Sequence, residues 1–190
     1  CLINAGSNYL VGGVVPGRWG NAHPNIVPYQ SFKSRAGYLV IGVASEGIWR
    51  RLCQAIGMPG LADDPRFARN PQRVEHRGEL IDILTEIFLQ RDTAAWVTLL
   101  IDAGVPCAPV QTIDQVFHAP QVIAREMVVE VPHPTAGTIR MAGLPVKFSG
   151  TPASIRLAPP LLGQHTAEVL RSWLRLDDSA IDDLKSKGVI

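Results

Sequence analysis

Apolar positions along the chain follow two spacings, and the switches between them mark its elements. Residues 38–44, Tyr-Leu-Val-Ile-Gly-Val-Ala, are apolar throughout and rich in β-branched side chains, which predicts a central strand buried on both faces. Ser45 then stands as an N-cap, and Ile48, Trp49, Leu52, Cys53 and Ile56 recur on one helical face up to Gly57. Leu80, Ile81, Leu84, Ile87 and Phe88 form a second stripe, predicting one helix over about 72–90. Asp92 caps a third helix carrying Trp96, Leu99, Leu100 and Ala103, stopped by Gly104. Residues 105–110 read as a short edge strand, because Pro106 and Pro109 are excluded from a sheet centre.

Farther on, Thr112 and Gln115 have capping-box spacing, and Pro120 suits the first turn of another helix. Residues 127–131 and 138–141 alternate as a hairpin around a five-residue loop, 133–137, with 145–148 extending the second strand. A proline-rich crossing segment, 150–163, precedes two helices over about 166–174 and 179–186. Strands mixed with helices, without a regular alternation, predict an α+β fold: a short mixed or antiparallel sheet with flanking helices. Residues 25–148 read as one compact unit, and 149–190 as a linker with C-terminal helices.

Composition narrows the classes. The 190 residues are 46% hydrophobic and 18% charged, with a net charge of +1 and the two signs interspersed. Nucleic-acid grooves and polybasic membrane patches need clustered cations, so neither partner is expected. Apolar runs at 38–44 and 96–103 are too short to span a bilayer. Cys1, Cys53 and Cys107 are odd in number and far apart, which fits a reducing cytoplasm better than a disulfide framework. The opening residues, Cys1-Leu2-Ile3-Asn4-Ala5, read as the tail of a helix already under way, so a fragment is expected.

Most catalytic signatures are missing from the sequence. His23, His76, His118, His133 and His165 are scattered and form no metal-ligand spacing. There is no Gly-x-Gly-x-x-Gly, no P-loop and no Gly-x-Ser-x-Gly elbow. Cys53 lies on an apolar helix face and Cys107 between prolines, so burial is the expectation for both. No pair of carboxylates for acid–base work can be picked out.

The stretch Gly20-Asn21-Ala22-His23-Pro24-Asn25-Ile26-Val27-Pro28-Tyr29-Gln30 is different. Pro24 and Pro28 fix φ, withdraw donors and hold their neighbours extended, so a stiff polar loop is presented ahead of an apolar strand. His23 and Asn25 can donate to carbonyl or carboxylate oxygens, with Arg18 and Arg35 flanking. They can equally satisfy the loop's own backbone, with Tyr29 packed beneath.

This run, with Phe32, resembles the Gly-Asn-x-His-Pro-x-Ile-x-Pro-Tyr-x-x-Phe segment of the class III (CaiB/BaiF-like) coenzyme A transferases. Further similar motifs follow in order: Asp64-Pro65-Arg66-Phe67 with Asn70, Arg73, Arg77 and Leu80; Trp96 and Leu100 with 104–110; Pro120-Gln121 with Ala124-Arg125; and 163–166. The resemblance implies a cytoplasmic enzyme that moves coenzyme A between carboxylic acids through an aspartyl nucleophile, with anhydride and thioester intermediates. It implies an interlocked homodimer whose substrates are an acyl-CoA and a small carboxylic acid, with no metal and no covalently bound cofactor. On this map residues 1–24 connect from a missing Rossmann-like large domain, 25–148 are the small domain, and 149–190 return to the large one. The nucleophilic Asp is then expected upstream of Cys1, and no catalytic residue is assigned here. Asn21, His23, Pro24 and Asn25 match the family's mobile active-site loop and are the candidate substrate-binding residues; the glycines found in some relatives' loops are absent.

The racemase branch of the superfamily carries a site Glu just after the strand equivalent to 38–44. Here Ser45 holds that position and Glu46 is one step on, a turn of about 100° on a helix. That favours transfer over α-proton exchange. A 2-methylacyl-CoA racemase-like enzyme, or a non-catalytic binding or dimerisation module, stands as the alternative.

Overall fold

A computed structural model describes residues 3–190, so the expectation of a helix tail at Cys1 and Leu2 lies outside the described residues. The chain forms two compact units, Cys1–Gln111 and Thr112–Ile190. The architecture is α+β, as the patterning predicts.

In the first unit, α1 (Ile3–Leu10) precedes a three-stranded antiparallel sheet of order β1-β2-β3, with β1 at Tyr29–Ser34, β2 at Gly37–Gly42 and β3 at Cys107–Pro109. The expected central strand is β2, and the proline-bracketed segment is the edge strand β3. The expectation of burial on both faces is corrected: Leu39 and Ile41 are buried, while Tyr38 is 48% exposed. Helices cover only one face of the sheet, so only alternate side chains enter the core. Strand β1 was not expected at all, because Gln30, Ser31, Lys33 and Ser34 dilute its apolar signal to Phe32. Its pairing to β2, from Tyr29 opposite Gly42 to Ser34 opposite Gly37, is set by a tight two-residue turn.

The covering helices are α2 (Glu46–Ala55), α4 (Arg77–Phe88) and α5 (Thr93–Asp102), with a 3-10 turn at Pro59–Ala62 and the short α3 (Asn70–Glu75). Ser45 caps α2, accepting the Ile48 N–H at 3.3 Å. The single helix expected over about 72–90 is two, α3 and α4. His76 leaves helical geometry between them (φ −97, ψ 28), its ring set edge-on against Phe67. Trp49, Leu52, Leu80, Leu84, Phe88, Trp96 and Leu100 pack with Phe32, Leu39 and Ile41 into one core. Asp92 stands at the N-cap of α5 but gives both carboxylate oxygens to Arg35, each at 2.8 Å.

The second unit contains α6 (Ile113–His118), α7 (Pro120–Ala124), the hairpin β4 (Val128–His133) and β5 (Gly137–Ala142), then α8 (Thr166–Leu174) and α9 (Asp178–Ser186). Gln115 Oε1 accepts the Thr112 N–H at 3.0 Å, the expected capping geometry. The hairpin loop is three residues, 134–136, two shorter than expected, with His133 opposite Gly137, and no strand forms over 145–148. At the hairpin's base Gly143 leaves no room for a side chain: an added Cβ would sit 2.3 Å from Glu126 O. Ile181 is the one buried apolar side chain among the described residues of this unit.

Candidate functional site

The loop entering β1 is folded by its own backbone. Gly20 adopts φ +59, the left-handed region that favours glycine, and Ala22 N–H closes a turn on Trp19 O at 2.9 Å. His23 N–H then donates to Tyr29 O at 2.9 Å, and Ser31 N–H donates to Asn21 Oδ1 at 2.9 Å. Asn21 therefore spends its side-chain oxygen on the unpaired edge of β1.

His23, Pro24 and Asn25 lie together at the turn. The His23 ring stacks on Tyr29, with centroids 5.6 Å apart and planes at 13°. Its Nδ1 accepts the Asn25 N–H at 3.1 Å. A nitrogen accepting a hydrogen bond carries no proton, so the neutral ring is protonated on Nε2 and donates from there. Nε2 lies 3.2 Å from Asn4 Nδ2 on α1, itself a donor, so an Nε2–H there requires the Asn4 amide turned over to present Oδ1, and the Asn25 amide pairs reciprocally with that of Asn8 at 3.3 and 3.4 Å. Asn4, Asn8, Trp19, Pro24 and Asn25 help to line a cleft of about 770 Å³. It presents neutral donors and acceptors among apolar walls, a surface that can grip carbonyl oxygens and amides.

The groups that hold this loop lie some fifty residues away and were not singled out as partners of it. Asn70, Arg73 and Arg77 form one stripe across the α3–α4 junction. Asn70 Nδ2 donates to Asn25 O at 2.8 Å while its Oδ1 accepts Val27 N–H at 3.1 Å. Arg73, fully buried, donates to Val27 O at 2.7 Å, Phe67 O at 2.9 Å and Glu46 Oε2 at 2.7 Å. Arg77 donates from one nitrogen to His23 O at 2.9 Å and Pro24 O at 2.6 Å, its guanidinium 4.7 Å from the Trp19 ring centroid. The spacing of 3 and 4 residues is visible in the sequence; the loop opposite it is not.

Other reactive groups are otherwise engaged. Burial pushes the Cys53 thiol up to about 12 and also raises Cys107, which stays half-buried, so neither is a ready thiolate. Burial alone would raise the Glu46 carboxyl, but hydrogen bonds from Arg73 and Asn70 N–H, with the charges of Arg73 and Arg69, hold it below the ordinary carboxylate range. Arg35 is tied to Asp92 at the far end of β1. Among the described residues no group of three or more His, Cys, Asp or Glu could hold a metal ion, and no helix is long and apolar enough to cross a membrane. A second cleft, of about 780 Å³, lies in the second unit between the hairpin and residues 153–158 and has no histidine or cysteine in its lining.

The family model for CoA-transferase family III matches residues 3–166. The chain belongs to this family. It is 42% identical over 190 residues to the succinyl-CoA:glutarate CoA-transferase of Homo sapiens, covering 100% of this chain and 43% of that protein. It is 37% identical over 179 residues to the succinate–glutarate CoA-transferase of Agrobacterium fabrum, covering 94% of this chain and 45% of that protein. Among solved structures, a CaiB/BaiF family protein from Brucella suis superposes with a TM-score of 0.71 at 34% identity, covering 88% of this chain and 43% of that one. The family III chain thus spans less than half the length of the curated relatives it matches.

Proposed function

We propose that this chain is the loop-bearing part of a CoA-transferase that moves coenzyme A between carboxylic acids. The family match over residues 3–166 carries this reading. In the proposed cycle an aspartate on polypeptide preceding Cys1 attacks the acyl-CoA carbonyl, forming a mixed anhydride and releasing the CoA thiolate. The thiolate then attacks the aspartyl carbonyl, giving aspartyl-CoA and the free acid, and the acceptor acid repeats the exchange in reverse. The part assigned here is electrostatic and steric: the His23 Nε2–H and the Asn25 amide donate to an acyl or carboxylate oxygen, and Pro24 and Trp19 keep water away. The names of the 42% and 37% identical relatives support succinyl-CoA as donor and a dicarboxylic acid such as glutarate as acceptor.

The racemase alternative finds no support at Glu46. Glu46 is committed to Arg73 and to Asn70 N–H, and a carboxylate held low is a poor acceptor for an α-proton. The same reading includes an interlocked homodimer in a reducing cytoplasm; the exposed apolar side chains of the second unit, such as Trp173 at 81% and Leu162 at 106%, suit coverage by more polypeptide.

The test is glutaryl-CoA formation from succinyl-CoA and glutarate by the full-length protein, beside the 190-residue chain alone. Turnover is expected only from the full-length protein, and turnover by the chain alone would overturn the split of labour. His23→Ala and Asn25→Ala should each cut transfer about 10²-fold or more, as loss of an oxyanion donor does, with little change in Tm. Parallel losses of rate and Tm would make the loop a structural element only.

A further inference from the structure

Arg77 is an odd residue to find under a loop. Its head is half-buried, no carboxylate pairs with it among the described residues, and its hydrogen bonds and ring contact are with the loop: His23 O, Pro24 O and the Trp19 ring. Desolvating an unpaired guanidinium costs stability, and desolvation does lower the Arg77 pKa. Its neighbours in the stripe have other work, since Arg73 also braces Phe67 O and Glu46, and Asn70 closes on Val27. The hydrogen bonds suggest what the charge is for. Pro24 C=O and Asn25 N–H belong to one peptide unit. The guanidinium pulls on its oxygen at 2.6 Å, and its N–H donates to His23 Nδ1 at 3.1 Å. The same cation also holds His23 O at 2.9 Å.

We propose that Arg77 is a positioning residue that sets the His23 tautomer through the Pro24–Asn25 peptide, so that the proton sits on Nε2, beside the Asn4 amide that helps to line the cleft. Polarising a peptide at its oxygen strengthens donation from its nitrogen, and hydrogen bonds in a chain reinforce one another. The bond from Asn25 N–H then keeps Nδ1 free of a proton and fixes the donor on Nε2. Lysine can donate to both carbonyls from its one nitrogen but lacks the flat guanidinium that lies 4.7 Å from the Trp19 ring centroid. The role assigned to Nε2–H in transfer rests on the proposed function; the tautomer itself does not.

Both layers are readable in the full-length protein with 15N-labelled histidine. In the unmodified protein the His23 ring should show an unprotonated Nδ1 and a protonated Nε2; the opposite tautomer there would overturn the proposal without any variant. In Arg77→Ala a population of the Nδ1–H tautomer should appear, and trypsin should cleave after Arg18 at least several-fold faster as Trp19 loses its partner. Arg77→Lys should fall between. Transfer should drop in kcat by roughly ten- to hundred-fold, as slight misplacement of a donor does, with a smaller change in KM. An unchanged tautomer in Arg77→Ala overturns the inference. Should that variant not fold, the judgment passes to Arg77→Met, which keeps the stem and removes every donor, and a tautomer population identical to the unmodified protein there overturns it. The expected tautomer without transfer of any acyl group would defeat the proposed function and leave the positioning role standing.

Discussion

The two units bury their apolar side chains to very different degrees. Residues up to 111 enclose a continuous core of Phe, Trp, Leu and Ile side chains under one sheet. Residues 112–190 bury Ile181 alone and leave Trp173, Leu174, Leu157, Leu162 and Phe148 exposed. Both stretches carry well-patterned helices and strands, so the contrast is not one of secondary structure. Local patterning forms elements in both; only the first unit also supplies the facing layer against which those elements bury apolar area. The second is held chiefly by hydrogen bonds, the β4–β5 ladder and capped helix ends, each contributing only about 0.5–1.5 kcal/mol.

Core truncation breaks the comparison most sharply. Leu84→Ala in the buried face of α4 should cost about 2–5 kcal/mol, because it removes a fully buried side chain and leaves a cavity. Trp173→Ala on α8 should cost under about 0.5 kcal/mol in the 190-residue chain. Urea unfolding followed by hydrogen exchange in each unit checks both, and a larger loss at Trp173 would show that the exposed face is already covered. Gly143→Ala comes next. Its Cβ would meet backbone at 2.3 Å, so the hairpin base must shift at about 1–3 kcal/mol, visible as faster exchange in 128–142 with residues 29–42 unaffected.

The smallest expected effect is on pH. Hydrogen bonds from the Arg66 side chain and from Arg66 N–H lower the Asp64 carboxyl to about 2, and Glu46 is lowered as well. Depressed folded-state values mean a stabilisation that is fully present above the unfolded values near 4 and is lost as pH falls through the folded ones. Acid titration of the first unit's stability should therefore slope downward from about pH 4 toward 2. The slope should flatten in Asp64→Asn with Glu46→Gln, and an unchanged slope would show that these ion pairs do not operate in solution.

Strong periodic signals carried through to structure. The stripes of α2, α4 and α5 are buried where their 3.6-residue spacing put them, and Pro106 and Pro109 did confine β3 to an edge. Weak or relational signals did not carry through. Strand β1 is too polar to announce itself, and His76 interrupts a helix whose apolar stripe runs past it. The loop at 20–28 was visible as stiff and polar, while the identity of the groups that grip it was not.

The buried faces of α2, α4 and α5, the edge strand β3 and the caps at Ser45 and Thr112 came from residue spacing alone, because each depends on neighbours a few positions apart. What required the folded chain was everything set by distant partners. Arg73 is buried against Val27 O, Arg77 stands beneath Pro24, Glu46 is neutralised by Arg73, and His23 becomes an Nε2–H donor through Asn25 N–H. Charges and hydrogen bonds take their strength from separations of about 3 Å in a partly desolvated site, and packing sets those distances between residues some fifty positions apart.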